Sequence, residues 1–336
     1  MSGKKNSIPA VNLSGFSKVE KLTLVVTKGC NMKCDYCYEK HFPEQKMDVA
    51  DAFRHIEETD PTIIKFFGGE PLLNRRLIAQ VMDSYPDKYY EVITNGTYID
   101  KLDEKYWKQF NVIYISLDGN YENDPTRWSS FEEYTKVINN IKWLASKVGS
   151  EKLIFSTTLD IRKAPDYSII QRVEDIFEIS GATKFDINIV MFDGDNNYVM
   201  TEDIRNKFLY WCMEANLASI KSGGQYDIGL NEAVFSTKQH EMNCCNFRSK
   251  KQLAVDVNGF SSACHVAAYY NLDDDILNEL NETTDAACII LEAMANKAGI
   301  TVPLDTENFA TIAKAENINR TMYYAQPNRE RFLCRS

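Results

Sequence analysis

Residues 21–27 (KLTLVVT) are rich in β-branched positions and read as a strand. Residues 62–67, 91–94, 111–117, 152–160 and 184–192 read the same way. Between these runs, apolar residues recur three or four apart. Val49, Phe53 and Ile56 share one face of residues 49–58, and residues 75–84, 101–110, 131–147 and 167–179 carry the same spacing, which predicts amphipathic helices. Six strands alternating with helices predict βαβ units and a parallel sheet. Periodicity leaves open whether that sheet closes on itself.

Residues 204–220 continue as a further amphipathic helix, and residues 221–226 (KSGGQY) carry a loop signal. The pattern then changes. Residues 252–257 and 260–266 are short strand-like runs around Asn258-Gly259, a hairpin turn signal, and residues 272–297 and 308–315 read as helices. The expected organisation is an N-terminal segment (1–20), an α/β domain (21–220) and a small hairpin-plus-helix domain (221–336).

Composition narrows the class. Of 336 residues, 44% are apolar and 26% charged, an ordinary globular balance that excludes global disorder. No apolar run reaches the roughly 18 residues that a spanning helix needs, so no membrane association is expected. The N-terminal stretch has lysines but no apolar core, so no secretory signal is expected and the protein is read as cytoplasmic. A formal charge of −10 argues against a general nucleic-acid binder.

Nine cysteines change the picture further. In a reducing compartment, metal binding or catalysis is a better default than structural disulfides. Residues 28–39 read KGCNMKCDYCYE, a C-x3-C-x2-C spacing directly after the first strand. Parallel α/β folds place their active sites at that end of the sheet. Three thiolates select zinc, copper(I) or iron–sulfur centres, and three ligands leave one position open on a cubane cluster. The alternative is a closed zinc site with His41 as the fourth ligand.

The next motif separates the two. Residues 66–72 read FFGGEPL, directly after the second strand-like run. Gly68 and Gly69 permit close backbone approach to a ligand, Glu70 can accept a hydrogen bond from an ammonium group, and Pro71 stiffens the exit.

Together these residues resemble the radical S-adenosylmethionine (SAM) superfamily, over about residues 20–200. The resemblance implies a partial (β/α)6 TIM barrel. It implies that Cys30, Cys34 and Cys37 hold three irons of a [4Fe–4S] cluster whose fourth iron binds SAM. It also implies that Gly68, Gly69, Glu70 and Pro71 touch the methionine ammonium and that Tyr36 lies by the adenine. Asn95 in ITNGT, Ser116 and Asp118 in SLDG, and Arg127 in DPTR follow the third and fourth strands and resemble further cofactor-contact elements. The residues between SLDG and DPTR depart from the family's usual spacing.

The second cysteine group supports the match. Cys245 is followed by 13 residues, Gly259, four residues and Cys264, which resembles the opening of the SPASM/twitch extensions of radical SAM maturases. The later cysteine run of a full SPASM domain is missing, so one auxiliary [4Fe–4S] cluster is expected, with ligands drawn from Cys244, Cys245, Cys264 and Cys334. Cys212 (FLYWCMEA) and Cys288 (AACIILEAM) lie in apolar helical stretches, where a buried core thiol is the commoner finding. Their functional alternative is hydrogen-atom donation to a substrate radical. His240 and His265 flank the tail cysteines and read as ordinary satisfied histidines.

The resemblance implies reductive cleavage of SAM to a 5′-deoxyadenosyl radical that abstracts hydrogen from substrate. A flavodoxin- or ferredoxin-type reductant is expected, and air should destroy activity. The leading expectation is maturation of a ribosomally made peptide or protein by crosslinking, thioether formation, epimerisation or oxidation. With about 20 residues before the first strand, no winged-helix leader-binding domain is expected there. The alternatives are a small-molecule dehydrogenase or epimerase of the same superfamily and, more remotely, a non-catalytic zinc scaffold.

Overall fold

The structure is a computed structural model that describes residues 18–37, 43–122, 127–159, 169–189, 218, 222–230 and 251–262. Among the described residues, five βα repeats and a sixth strand run through it: β1 (Lys21–Thr27), α1 (Val49–Thr59), β2 (Ile63–Gly68), α2 (Arg75–Ser84), β3 (Tyr89–Thr94), α3 (Glu104–Gln109), β4 (Val112–Ser116), α4 (Phe131–Val148), β5 (Leu153–Leu159), α5 (Ile169–Ser180) and β6 (Lys184–Ile189). Three short strands follow, β7 (Asp227–Leu230), β8 (Gln252–Val255) and β9 (Ser261–Ser262). All nine form one sheet in the order β7-β6-β5-β4-β3-β2-β1-β8-β9, parallel throughout except for the β8–β9 hairpin. This is the parallel α/β arrangement of a partial TIM barrel.

Side-chain alternation assigns the two faces of the sheet. Leu22 and Leu24 of β1, Ile64 and Phe66 of β2, Tyr90 and Val92 of β3, and Ile113 and Ile115 of β4 are buried in the main core together with the helix residues Ile56, Ile78, Trp107 and Ile141. The alternate positions form the inner face. There Val112, Tyr114 and Ile154 make a separate small cluster against Ile93, and Lys21, Thr23, Glu91 and Ser156 are buried beside it.

Local chemistry sets the helix ends. Asp48 accepts from the Ala50 amide at 2.9 Å and caps α1. At the start of α4, Ser130 Oγ accepts from the Glu133 amide at 3.1 Å, and the Glu133 carboxylate reaches back to the Ser129 amide at 2.9 Å, a reciprocal cap. Among the described residues, no helix is long and apolar enough to cross a membrane.

The structure departs from the sequence reading in two places. Beyond residue 220, β7 pairs with β6 and β8 pairs with β1, so segments expected in a separate C-terminal unit extend the central sheet at both edges. The hairpin does turn at Asn258-Gly259, as read, but through three loop residues instead of two: the Gly259 amide donates to the Asp256 carbonyl at 3.0 Å and the Asp256 amide to the Phe260 carbonyl at 2.9 Å. Val255 faces Ser261, and Asp256 through Phe260 make the connection. Asp256 Oδ1 accepts from the Asn258 and Phe260 amides, both at 2.9 Å, and Gly259 sits at φ +81°. A carboxylate that can satisfy two loop amides favours this longer connection. Of the helix expected at 204–220, residue 218 is described and helical; the helices expected at 272–297 and 308–315 lie outside the described residues.

Candidate functional site

The loop leaving β1 carries Cys30, Cys34 and Cys37 at the C-terminal end of the sheet. Its stem is pinned on both sides. The Lys28 amide and Thr27 Oγ1 each donate to the Gln45 carbonyl at 2.9 Å, and Thr27 bridges Lys46. Asn74 Nδ2 donates to the carbonyls of Val26 (3.0 Å) and Met47 (3.1 Å), tying the outgoing and returning chain together. Cys30 is exposed, and Cys34 and Cys37 are half-buried. The Cys30 sulfur accepts from the Met32 amide at 3.4 Å and from Asn95 Nδ2 at 3.9 Å.

The diglycine bend after β2 packs directly on this loop. The Gly69 amide donates to Thr27 O at 3.0 Å and the Glu70 amide to Gly29 O at 2.9 Å. A Cβ on Gly68 would stand 2.2 Å from Thr27 O, and one on Gly69 would stand 2.4 Å from Gly29 O and 3.0 Å from the Cys30 Cβ. The close approach that the glycines permit is therefore to the backbone of the cysteine loop.

Three protein donors engage Glu70. It is fully buried; Oε1 accepts from the Leu72 amide (3.0 Å) and Thr94 Oγ1 (2.9 Å), and Oε2 from the Asn95 amide (2.7 Å). Burial pushes its pKa up to about 7, against the opposing pull of those donors and of Arg127. Pro71 is buried at the start of a short turn, Pro71–Asn74, that Glu70 caps. Glu70 thereby locks the TNGT turn after β3. In that turn Asn95 Oδ1 accepts from the Thr97 amide (3.0 Å), Asn95 Nδ2 donates to Asn31 Oδ1 (3.0 Å), and Asn31 Nδ2 donates to Thr97 Oγ1 (3.0 Å). The third strand's loop and the cysteine loop are stitched side chain to side chain.

A second buried network ties the cysteine loop to β4. Tyr36 donates its hydroxyl to Asp118 Oδ2. Arg127 Nη1 donates to the same oxygen at 2.7 Å and to the Tyr36 oxygen at 2.8 Å, while Nη2 donates to the Ser116 carbonyl at 2.6 Å. Asp118 Oδ1 takes the Thr158 amide from β5 at 2.7 Å. Asp118 and Arg127 are both nearly inaccessible, so the pair is a desolvated one.

Cys30, Cys34, Cys37, Tyr36, Gly68, Gly69, Glu70, Pro71, Asn95, Ser116, Asp118 and Arg127 thus gather at the ends of β1–β4 and their loops. Cys212, Cys244, Cys245, Cys264, Cys288 and Cys334 lie outside the described residues, as do His41 and Asp124. Among the described residues, no three Cys, His, Asp or Glu side chains stand close enough to hold a single metal ion. A cubane spaces its thiolates more widely than one ion does. The accessible, soft donor set and the glycine cradle beside it fit such a cluster.

Sequence reading missed Lys28 and Asp256. Their side chains form an ion pair of 2.9 Å, almost fully buried, between the root of the cysteine loop and the β8–β9 connection. No local spacing signals this pair, since its partners are far apart in the chain. Thr94 was also missed, although the turn motif that contains it was read.

The comparisons with known proteins agree with this arrangement. The family model described as Radical SAM superfamily matches residues 24–158. A radical SAM cyclopropyl synthase, TigE, from Paramaledivibacter caminithermalis is 32% identical over 140 residues, covering 32% of this chain and 30% of that protein. A GTP 3′,8-cyclase from Aliarcobacter butzleri is 33% identical over 150 residues, covering 41% of this chain and 46% of that protein. The chain spans less than two thirds of the length of the first curated relatives it matches. Among solved structures, anSMEcpe with bound AdoMet and Cp18Cys peptide superimposes with a TM-score of 0.54 at 18% identity, over 90% of this chain and 99% of that one, a likeness of fold.

Proposed function

We propose that this protein is a radical SAM enzyme that matures a ribosomally made peptide or protein. The observation that carries the reading is the packing of the C-x3-C-x2-C loop against the diglycine bend, with Gly69 too close to Gly29 and Cys30 to tolerate a side chain. In this reading Cys30, Cys34 and Cys37 hold a [4Fe–4S] cluster, and SAM lies along Gly68–Pro71 and the loops bearing Asn95, Ser116, Asp118 and Arg127. When bound, that pair supplies one-electron cleavage of SAM and the hydrogen-abstracting radical. The chain's own residues position and shield. Glu70 and Asn95 hold the third loop against Cys30, and Tyr36, Asp118 and Arg127 hold the cysteine loop against β4.

The peptide assignment draws support from the peptide-bound anSMEcpe structure. The similarity to a GTP 3′,8-cyclase favours a small-molecule substrate as the second reading. The same proposal includes an auxiliary cluster on the segment 221–336 with ligands among Cys244, Cys245, Cys264 and Cys334, Cys212 or Cys288 as hydrogen-atom donor, a flavodoxin- or ferredoxin-type reductant, and a cytoplasmic setting. Anaerobic incubation with SAM, a reductant and uniformly deuterated candidate peptides tests the substrate class. Deuterium in 5′-deoxyadenosine supports it. Deuterium transfer from small molecules but from no peptide replaces it with the second reading.

A further inference from the structure

On the inner face of the sheet, the lysines of β1 and β2 stand in very different circumstances. Lys21 on β1 is buried and pairs with Glu91 on β3 at 2.9 Å, so its charge is answered. Lys65 on β2 is half-buried, and among the described residues neither a hydrogen bond nor an ion pair holds its ammonium group. Its Nζ stands 4.3 Å from the centroid of the Tyr114 ring on β4. Tyr114 belongs to the inner apolar cluster with Val112, Ile154 and Ile93, so the ammonium borders an apolar patch on one side.

The flanking residues settle which way Lys65 faces. Ile64 and Phe66 are fully buried in the core under the helices, so alternation turns Lys65 to the opposite, inner side. It lies three residues before Gly68, about 10 Å down the strand from the bend at roughly 3.3 Å per residue. Groups bound at the two places would lie about 10 Å apart, within the span of one small substrate.

We propose that Lys65 receives an oxyanion of the substrate, a carboxylate or a phosphate, on the inner face of the barrel. This rests on the reading of the barrel's open end as the reaction site and names a chemical feature of what enters it. An oxyanion would supply a charge-assisted bond that no described residue makes to this ammonium, while Tyr114, Ile93 and Ile154 cover an apolar stem. The charged groups facing Lys65 are Glu91 on β3, Lys21 on β1 and Asp186 on β6. Burial lowers its pKa to about 8; Glu91 and Asp186 oppose that shift and Lys21 adds to it. Glu91, the cross-strand neighbour of Lys65, makes its ion pair with Lys21 and, among the described residues, not with Lys65.

Competitive labelling tests this on the full chain. The protein is treated briefly with acetic anhydride and each lysine is scored by mass spectrometry, with N-acetylglutamate, inorganic phosphate or N-acetylglutamine present. Lys101, whose side chain is half-exposed, is the internal reference. The expected result is saturable, several-fold slowing at Lys65 by one of the anions, with no effect of the neutral amide and none at Lys101. Protection by N-acetylglutamate identifies a carboxylate, and protection by phosphate a phosphate ester. The proposal is overturned if neither anion protects, if the amide protects equally, or if Lys65 stays unlabelled while Lys101 reacts. Electron paramagnetic resonance of the reconstituted protein with SAM scores the parent reading separately. Protection without a SAM-dependent signal keeps the anion site and removes the radical chemistry, whereas a signal without protection overturns the anion site alone.

Discussion

Replacing Gly69 by alanine is the sharpest perturbation of the site that changes no charge and no donor. The added methyl would stand 2.4 Å from the Gly29 carbonyl oxygen, 2.7 Å from its carbon and 3.0 Å from the Cys30 Cβ. Against a comfortable carbon separation of about 3.5–4.0 Å, the shortfall at the carbonyl is about 1 Å. The Gly29 carbonyl cannot simply withdraw, because it accepts the Glu70 amide at 2.9 Å. Forced overpacking costs about 1–3 kcal/mol and the strained hydrogen bond about 0.5–1.5 kcal/mol more, so a loss of about 2–4 kcal/mol is expected. Because the displaced atoms lead into Cys30, the loss should appear twice, in the thermal melt and in the iron retained after anaerobic reconstitution. Gly223→Ala is the control: its φ of +65° is strained for alanine but nothing lies within 4 Å, so it should cost only about 1–2 kcal/mol and no iron. If Gly69→Ala melts with the wild type and keeps its full iron content, the glycine cradle does not set the position of the cysteine loop.

Three further outcomes follow from the buried polar groups. Asp118→Asn leaves the Arg127 guanidinium buried beside a neutral amide and should cost about 3–5 kcal/mol in denaturant unfolding; a change under 1 kcal/mol contradicts the network described. Lys28→Met alone strands the Asp256 carboxylate and should be similarly damaging, while Lys28→Met with Asp256→Asn, whose side-chain oxygen still meets the Asn258 and Phe260 amides, should recover much of the loss. No recovery in the double variant shows that the pair is not the source. Glu70 holds its proton more tightly in the folded state, with a pKa of about 7 against 4.5. Its contribution is present below pH 4.5 and is lost as pH rises through 7, by about 3 kcal/mol in all. The wild-type melting temperature should therefore fall from pH 5 to pH 8 more steeply than that of Glu70→Gln, and equal slopes refute the assignment.

Much of the fold was legible because its signals are local. The β-branched run at Lys21–Thr27 matches β1 as read, and the alternation of buried strands with amphipathic helices carried through β6. The start of β3 was read two residues late, at Glu91, because an aspartate-lysine pair precedes Tyr89 and resembles a turn. β7 was missed: its four residues, DIGL, include a glycine and follow a loop signal, and its partner β6 is distant in the chain. The pairing of β8 with β1 was illegible for the same reason, since parallel register between remote segments leaves no periodic trace. At the site, residue types and order were readable but not orientation. Glu70 was identified from its motif, yet its engagement by Leu72, Thr94 and Asn95 depends on three loops meeting in space. Lys28 and Asp256 carry no motif at all.

The central claim is that the loop bearing Cys30, Cys34 and Cys37 holds an open-sited iron–sulfur cluster that SAM reaches along the diglycine bend. The most direct measurement is low-temperature electron paramagnetic resonance of the anaerobically reconstituted, dithionite-reduced protein, with SAM present and absent, on the wild type and a Cys30→Ala/Cys34→Ala/Cys37→Ala variant. The account predicts a reduced [4Fe–4S] signal whose line shape SAM alters in the wild type, with that SAM-sensitive signal missing from the variant. A spectrum that SAM leaves unchanged, or one that persists with its SAM response after all three cysteines are removed, contradicts it.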